Sequence, residues 1–497
     1  MAQTNIPTNL LELYNNVKYV AESFGFKEGE NGIFRNCVIK NENVRDVADN
    51  DANFWFGYIR EDQPTSGAYE GFSYVIFPEH DGKRCLVSIG IGSSSIGKDG
   101  DLATNPGFRR SFMRLIKDEK ARFFFKLRFD EMETSTPGLQ EELYSEERKY
   151  EDTLVSTTTK YNADVDKESP GLLPAAFIVD YTTDSGWKLI KAWLAQYAQW
   201  RCWDKFQKGT DKKNPTKNIK NAIDVCRVDA KCPSKDEIKG ILKSHKYIVL
   251  QGAPGCGKTW TANEIAKEYG NNVVFTQFHA ETTYSDFVYG IRPTLDGKTV
   301  AYKGEKGTLL EAIDIANAAG DKPVLLIIDE INRANLANVL GPVFYLFEPN
   351  ADRANKLKLG TYNETGEEKV IEIEKLPDNL YVLATMNTAD KSLAVVDFAL
   401  RRRFAWVTLR PHKVEKEEFD IELFDKVDNL FSTYATDEEL NLQPGQSYFM
   451  DRNKRKENIK YGLMPLMKEY FAEGFLLSAK EEFAQLFTSE SGEHMYE

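Results

Sequence analysis

Gly252-Ala253-Pro254-Gly255-Cys256-Gly257-Lys258-Thr259 is the stretch on which the reading of this chain turns. The apolar run Tyr247 to Leu250 precedes it, and Ala262, Ile265 and Ala266 follow at helical spacing. A strand, a glycine-rich loop and a helix in that order let successive backbone N–H groups converge on phosphate oxygens at a helix N-terminus. Gly252, Ala253, Pro254, Gly255, Cys256 and Gly257 form the cradle, with Cys256 a tolerated small residue. Lys258 is placed to neutralise the β- and γ-phosphates of a nucleoside triphosphate, ATP or GTP, and the Thr259 hydroxyl to ligate Mg2+. Such a loop occurs now and then by chance, but rarely with strand and helix on the correct sides.

About seventy residues further on, Val324-Leu325-Leu326-Ile327-Ile328-Asp329-Glu330 reads as an apolar strand ending in two carboxylates. In a parallel sheet that end faces the phosphate loop. Asp329 is expected to hold Mg2+ through water, and Glu330 to position and deprotonate the attacking water. A third run, Met386-Asn387-Thr388-Ala389-Asp390-Lys391-Ser392, follows the strand Leu380 to Thr385. Asn387 is suited to orienting the lytic water, although an Asn-Thr turn with a helix cap is the plainer reading. Ala399-Leu400-Arg401-Arg402-Arg403-Phe404 then precedes the last strand. Adjacent arginines are costly to bury, so a solvated surface is the ordinary reading. In a ring of subunits, Arg402 and Arg403 would reach a neighbour's γ-phosphate and stabilise charge in the transition state.

Five short apolar or β-branched runs carry these motifs: Tyr247 to Leu250, Val273 to Thr276, Val324 to Asp329, Leu380 to Met386 and Ala405 to Thr408. Helical segments separate them, which implies an α/β fold with a parallel sheet covered on both faces. Residues 234–411 are read as this nucleotide-binding domain and 412–497 as a helical lid. Residues 1–135 read as a mixed α/β unit. Leu10, Leu13, Val17, Val20, Ala21 and Phe24 recur at helical spacing, with Thr8 as the expected N-cap. Strand-like runs follow at Asn53 to Arg60, Phe72 to Phe77, Cys85 to Ile91 and Arg122 to Phe129, with Asp81-Gly82 as a hairpin turn. Residues 136–233 are expected to be a charged linker and a helical connector that includes the aromatic stretch Trp187 to Trp203.

The 497 residues are too many for one ordinary domain, and 41% hydrophobic with 28% charged residues fits a soluble globular protein. No stretch approaches the ~20 uncharged apolar residues of a membrane span. Met1 to Asn9 lacks the pattern of a secretory signal, so a cytoplasmic protein with no membrane partner is expected. A net charge of −13 argues against a basic surface made for nucleic acid. The average hides local contrast, because Arg109, Arg110, Arg114, Lys117, Lys120, Arg122, Lys126 and Arg128 cluster against only Asp118 and Glu119. The six cysteines show no zinc-site spacing and read as free thiols.

Taken together, residues 235–480 resemble the McrB-type AAA+ motors of modification-dependent restriction systems. Met386 to Ser392 is similar to the hallmark Met-Asn-Thr-Ala-Asp-Arg-Ser of that family, with Lys391 in place of its arginine. Asp329 to Asn335, Ala399 to Phe404, and Gln277-Phe278-His279 through Gly290-Ile291-Arg292-Pro293 also look like family motifs. So do Leu463 to Met467 and Glu469-Tyr470-Phe471 in the lid. The resemblance implies an AAA+ P-loop fold with a five-stranded parallel sheet and a C-terminal helical lid. It further implies a homo-oligomeric, hexameric ring that hydrolyses GTP or ATP, a separate McrC-like nuclease subunit, and DNA selection by the N-terminal domain. A protein-remodelling AAA+ chaperone of MoxR-like type is the alternative, as is a module in which nucleotide only gates assembly. Phe54, Trp55, Phe56, Tyr58, Phe72 and Tyr74 could cage a flipped base, although alternating strand aromatics are more often core.

Overall fold

The computed structural model describes residues 5–26, 33–36, 56–59, 72–78, 83–91, 105–115, 122–125, 172–201, 213–227, 232–296, 299–348, 357–362, 368–389 and 401–495. The chain divides into two compact units. One is built from Met1–Asp229 with Ser432–Ala435, the other from Ala230–Phe431 and Thr436–Glu497.

In the first unit, helix α1 (Leu10–Ser23) buries Leu13, Val17, Val20 and Ala21. Its cap is Asn9, whose side chain accepts from the Glu12 N–H at 2.9 Å. Thr8, the expected cap, stands one residue outside and donates from both its backbone N–H and its hydroxyl to Glu12 Oε2, each at 2.8 Å. Asn and Thr are both good caps, so neighbouring candidates are settled by the backbone. Strands β1 (Ile33–Asn36), β2 (Phe56–Ile59), β3 (Ser73–Pro78), β4 (Arg84–Ile91), β5 (Arg122–Phe125) and β6 (Leu172–Asp180) form an antiparallel sheet in the order β1-β2-β3-β4-β6-β5. The Asp81-Gly82 turn lies outside the described residues.

The expected connector is corrected here. Helix α2 (Asp184–Arg201) carries Trp187, Trp193, Tyr197 and Trp200 into the same core as β3 and β4, and α3 (Lys213–Cys226) adds Ile219 and Ile223. A helix apolar on nearly every face must be enclosed, and this one is. The Tyr197 hydroxyl donates to the Phe72 carbonyl at 3.2 Å and that of Tyr74 to the Ile190 carbonyl at 3.1 Å. The boundary between units therefore falls at Asp229/Ala230, well beyond residue 135. Phe56, Tyr58, Phe72 and Tyr74 are buried in this core, as the plainer reading of strand aromatics held; Phe54 and Trp55 lie outside the described residues.

The second unit opens with α4 (Lys235–His245), started by a reciprocal cap in which Ser234 and Glu237 satisfy each other's backbone N–H. Five parallel strands follow: β7 (Tyr247–Gly252), β8 (Val273–Gln277), β11 (Val324–Asp329), β14 (Leu380–Asn387) and β15 (Ala405–Thr408), in the order β15-β7-β14-β11-β8. Alternate residues of β11 enter opposite apolar layers, Leu326 and Ile328 in one, Leu325 and Ile327 in the other. That is why this strand reads as unbroken apolar sequence. Two antiparallel hairpins absent from the sequence reading interrupt the alternation, β9 (Tyr289–Asp296) with β10 (Thr299–Lys306), and β12 (Leu357–Tyr362) with β13 (Glu368–Ile373). The C-terminal part is helical: α6 (Ile421–Tyr434), α7 (Met464–Ala472) and α8 (Lys480–Ser491), with a π-helical turn at Asn458–Leu463. Among the described residues no helix is long and apolar enough to cross a membrane.

Candidate nucleotide-binding site

The glycine-rich loop runs from the end of β7 at Gly252 into helix α5 (Lys258–Ala266). Gly255 and Gly257 take φ of 80° and 81°, a left-handed backbone that other residues adopt only at a cost of about 1–2 kcal/mol. Lys258 is only 8% exposed, and its Nζ donates to the carbonyls of Gly252 at 2.8 Å and Ala253 at 2.9 Å. Burial pulls its pKa below the ordinary lysine range, while the Cys256 thiol and the carboxylates of Glu330 and Asp329 act the other way. The lysine is thus aimed into the cradle with acidic groups near enough to be felt.

Asp329 ends β11 and is 6% exposed. The Thr259 hydroxyl donates to its Oδ1 at 2.9 Å, which joins the loop to the acidic strand end. With that proton spent on the carboxylate, the lone pairs of the Thr259 oxygen remain for a cation. A hydroxyl and a carboxylate are hard oxygen donors of the kind Mg2+ takes alongside waters and phosphate oxygens, so the residues present fit that ion. Glu330 follows in a left-handed backbone with φ 54° and ψ 49°. Its carboxylate is half-buried and lies 3.4 Å from the Arg333 guanidinium.

Asn387 stands at the end of β14, paired in register with Gly252 of the loop strand. Its side-chain oxygen accepts from the Ala389 N–H at 3.1 Å, the local turn of the plainer reading, and its carbonyl accepts from Asn332 Nδ2 at 3.3 Å. Asn387 therefore sits beside the cradle and holds its own turn as well. Asp390, Lys391 and Ser392 lie outside the described residues.

The three arginines have different surroundings. The Arg401 guanidinium lies 5.3 Å from the Trp406 ring centroid. The Arg402 side chain is 64% exposed and pairs with Glu348 Oε1 at 3.0 Å, whereas Arg403 is buried, pairs with Glu348 Oε2 at 3.1 Å and stacks over Phe344 at 4.4 Å. One carboxylate holds both, but only Arg402 is presented outward.

A lid segment, Gly445 to Ser447, reaches the phosphate loop, a contact the sequence reading did not include. The Gly445 N–H donates to the Pro254 carbonyl at 2.8 Å, Ser447 N–H to Gly255 at 3.1 Å, and Gln446 Nε2 to Cys256 at 2.9 Å. A Cβ on Gly445 would come within 2.1 Å of the Gly255 backbone, so only glycine permits the approach. Nothing in the local sequence beyond Pro444-Gly445 marks this contact.

The cysteines of this unit differ in chemistry. Burial pushes the Cys256 thiol up to about 11, against the opposing pull of Lys258. At Cys232 burial also raises the pKa, but hydrogen bonds with His412 and the Arg410 backbone outweigh it, and the thiol falls below its ordinary value. The Cys232 hydrogen bond raises the pKa of His412 in turn. Since the thiolate is the nucleophile, iodoacetamide at pH 8 is expected to alkylate Cys232 at least ~10 times faster than Cys256. Raising the pH should leave Cys256 the slower of the two, because its thiol is buried as well as high in pKa. Peptide mass spectrometry over a pH series checks this; faster labelling of Cys256 at pH 8 would contradict it.

Strand order, phosphate loop and acidic strand end define a class, and residues 247–404 match the family model of the AAA domain, dynein-related subfamily: this part of the chain is an AAA+ nucleotide-binding domain. Two curated relatives narrow it. The EcoKMcrB subunit of the type IV methyl-directed restriction enzyme of Escherichia coli K12 is 34% identical over 255 residues, covering 46% of this chain and 54% of its own length. The YdiS component of the type II restriction enzyme BsuMI of Bacillus subtilis 168 is 29% identical over 199 residues, covering 34% of this chain and 58% of its own. Both relatives are restriction-enzyme components to which this chain is similar over part of its length. The chain spans little more than half the length of these relatives.

Proposed function

We propose that this protein is the Mg2+-dependent NTPase motor of a McrBC-like restriction system, turning over ATP or GTP as a homo-oligomeric ring, with a separate McrC-like nuclease and with DNA chosen by the N-terminal unit. The contact of Thr259 with Asp329 at 2.9 Å carries the reading, because it brings the phosphate loop and the acidic strand end into one pocket. Thr259 and Asp329 would hold Mg2+, which when bound would supply charge neutralisation for the phosphates. Lys258 leaves its two loop carbonyls for phosphate oxygens, a charged partner in place of neutral ones. Glu330 takes the proton of the attacking water, Asn387 orients that water, and the water oxygen bonds to the γ-phosphorus as the β–γ bridging bond breaks. Arg402 reaches the neighbouring subunit's γ-phosphate, and Arg403 braces it from within its own subunit through Glu348.

The restriction-enzyme relatives favour this reading over a chaperone. The purified full chain is expected to release phosphate from ATP, GTP or both only when Mg2+ is present, and to retain methylated or plain duplex DNA in a mobility-shift assay. If neither nucleotide is bound or hydrolysed, the motor reading fails. If turnover is stimulated by unfolded protein and DNA is ignored, the remodelling alternative takes its place.

A further inference from the structure

Two residues before Asn387, strand β14 carries Thr385, which is wholly buried. Its hydroxyl donates to Asp329 Oδ1 at 2.6 Å and accepts from the Glu330 N–H at 3.0 Å. A hydroxyl has one proton; with that proton on the carboxylate, the amide must be met by a lone pair, so the orientation of the group is fixed. The strand register that pairs Ile328 with Ala384 brings the next residues of β11 and β14, Asp329 and Thr385, side by side. Asp329 Oδ1 therefore receives two hydroxyls, Thr259 from the phosphate loop and Thr385 from the sheet. Glu330 has a left-handed backbone at φ 54°, and the hydrogen bond from its N–H to Thr385 holds that turn in place.

We infer that Thr385 is a positioning residue for hydrolysis: through one hydroxyl it fixes both the Asp329 carboxylate and the backbone turn that aims Glu330. The inference rests on the proposed roles of Asp329 and Glu330. An ordinary buried threonine would satisfy its hydroxyl on a nearby backbone carbonyl. This one is shared between the carboxylate proposed to hold Mg2+ and the amide of the proposed base. Groups that orient ligating or reacting residues in this way are worth about 10–100-fold in activity.

The test uses the full chain with Mg-ATP and Mg-GTP, comparing Thr385→Val, which keeps the branched shape, with Thr385→Ser, which keeps the hydroxyl. Thr385→Val is expected to lower kcat by about 10–100-fold while nucleotide KM moves by less than about 3-fold, and Thr385→Ser to stay within about 3-fold of the parent in kcat. In a Glu330→Gln background the valine substitution should add little, because both act on the same step. Parental kcat in Thr385→Val, or a loss in Thr385→Ser as large as in Thr385→Val, overturns the inference. Full additivity with Glu330→Gln does so too. Should Thr385→Val not fold, Thr385→Ala is read by the same criteria. A parent that turns over neither nucleotide brings down the motor reading itself, an outcome distinct from the failure of Thr385.

Discussion

Glu330→Gln is expected to bind Mg-nucleotide as the parent does and to lose turnover by at least about 100-fold. The substitution keeps shape and hydrogen-bonding reach but removes the basic oxygen pair that accepts the water proton. In the proposed function the nucleotide contacts belong to other groups: Lys258, buried and aimed into the loop, would provide the cation, and Thr259 with Asp329 the hard oxygens. The left-handed turn at Glu330 is held by Thr385 and tolerates Gln as it does Glu, so the backbone has no reason to shift. Single-turnover phosphate release and equilibrium binding of a fluorescent nucleotide, run on the same preparation, separate the two effects. Turnover near that of the parent would remove Glu330 from the role of base. Loss of binding would mean that Glu330 builds the pocket instead.

Much of this site was legible because its chemistry is local. A strand, a glycine loop and a helix start lie within twenty consecutive residues, and the acidic pair announces itself at the end of an unbroken apolar run. Thr385 was not legible: a threonine within Leu380 to Asn387 looks like any β-branched strand residue until the register of β11 against β14 sets its hydroxyl beside Asp329. The lid contact of Gly445 to Gln446 likewise joins segments nearly two hundred residues apart. The hairpin β12/β13 was readable in principle, since Leu357, Leu359, Ile371 and Ile373 alternate and pair on one face. The N-terminal boundary was misplaced for a different reason. Strand β6 pairs with β4 more than eighty residues earlier, and the charged stretch between them masks that the fold continues. The arginines show the same limit, since a run of three like residues gives no hint that Arg403 turns inward while Arg402 stays exposed.

The second large effect lies in the lid and concerns stability. Arg455 meets Asp420 with two parallel hydrogen bonds, Nε to Oδ2 and Nη2 to Oδ1, both 2.7 Å, and reaches Glu490 at 2.7 Å with its remaining nitrogen. Its hydrogen bond with Asp420 raises its pKa above the already high arginine value, so it is charged at every working pH. Asp420 has a side chain only 2% exposed, and its Oδ1 also accepts from the Leu423 N–H at 3.1 Å, capping α6. Arg455→Met preserves much of the packing but leaves a buried carboxylate without its cation, at a cost of about 3–5 kcal/mol. Since about 1.4 kcal/mol is tenfold, hydrogen exchange at the α6 amides should accelerate by about two to three and a half orders of magnitude. Exchange suits this two-unit chain better than a melting curve, which assumes one cooperative transition. Asp420→Asn in the same molecule keeps an oxygen for the cap and removes the stranded charge, so Arg455→Met/Asp420→Asn should recover most of the loss. Unchanged α6 exchange in Arg455→Met would show that the pair is solvated and worth little. A double variant no better than the single would place the cost in packing, not charge.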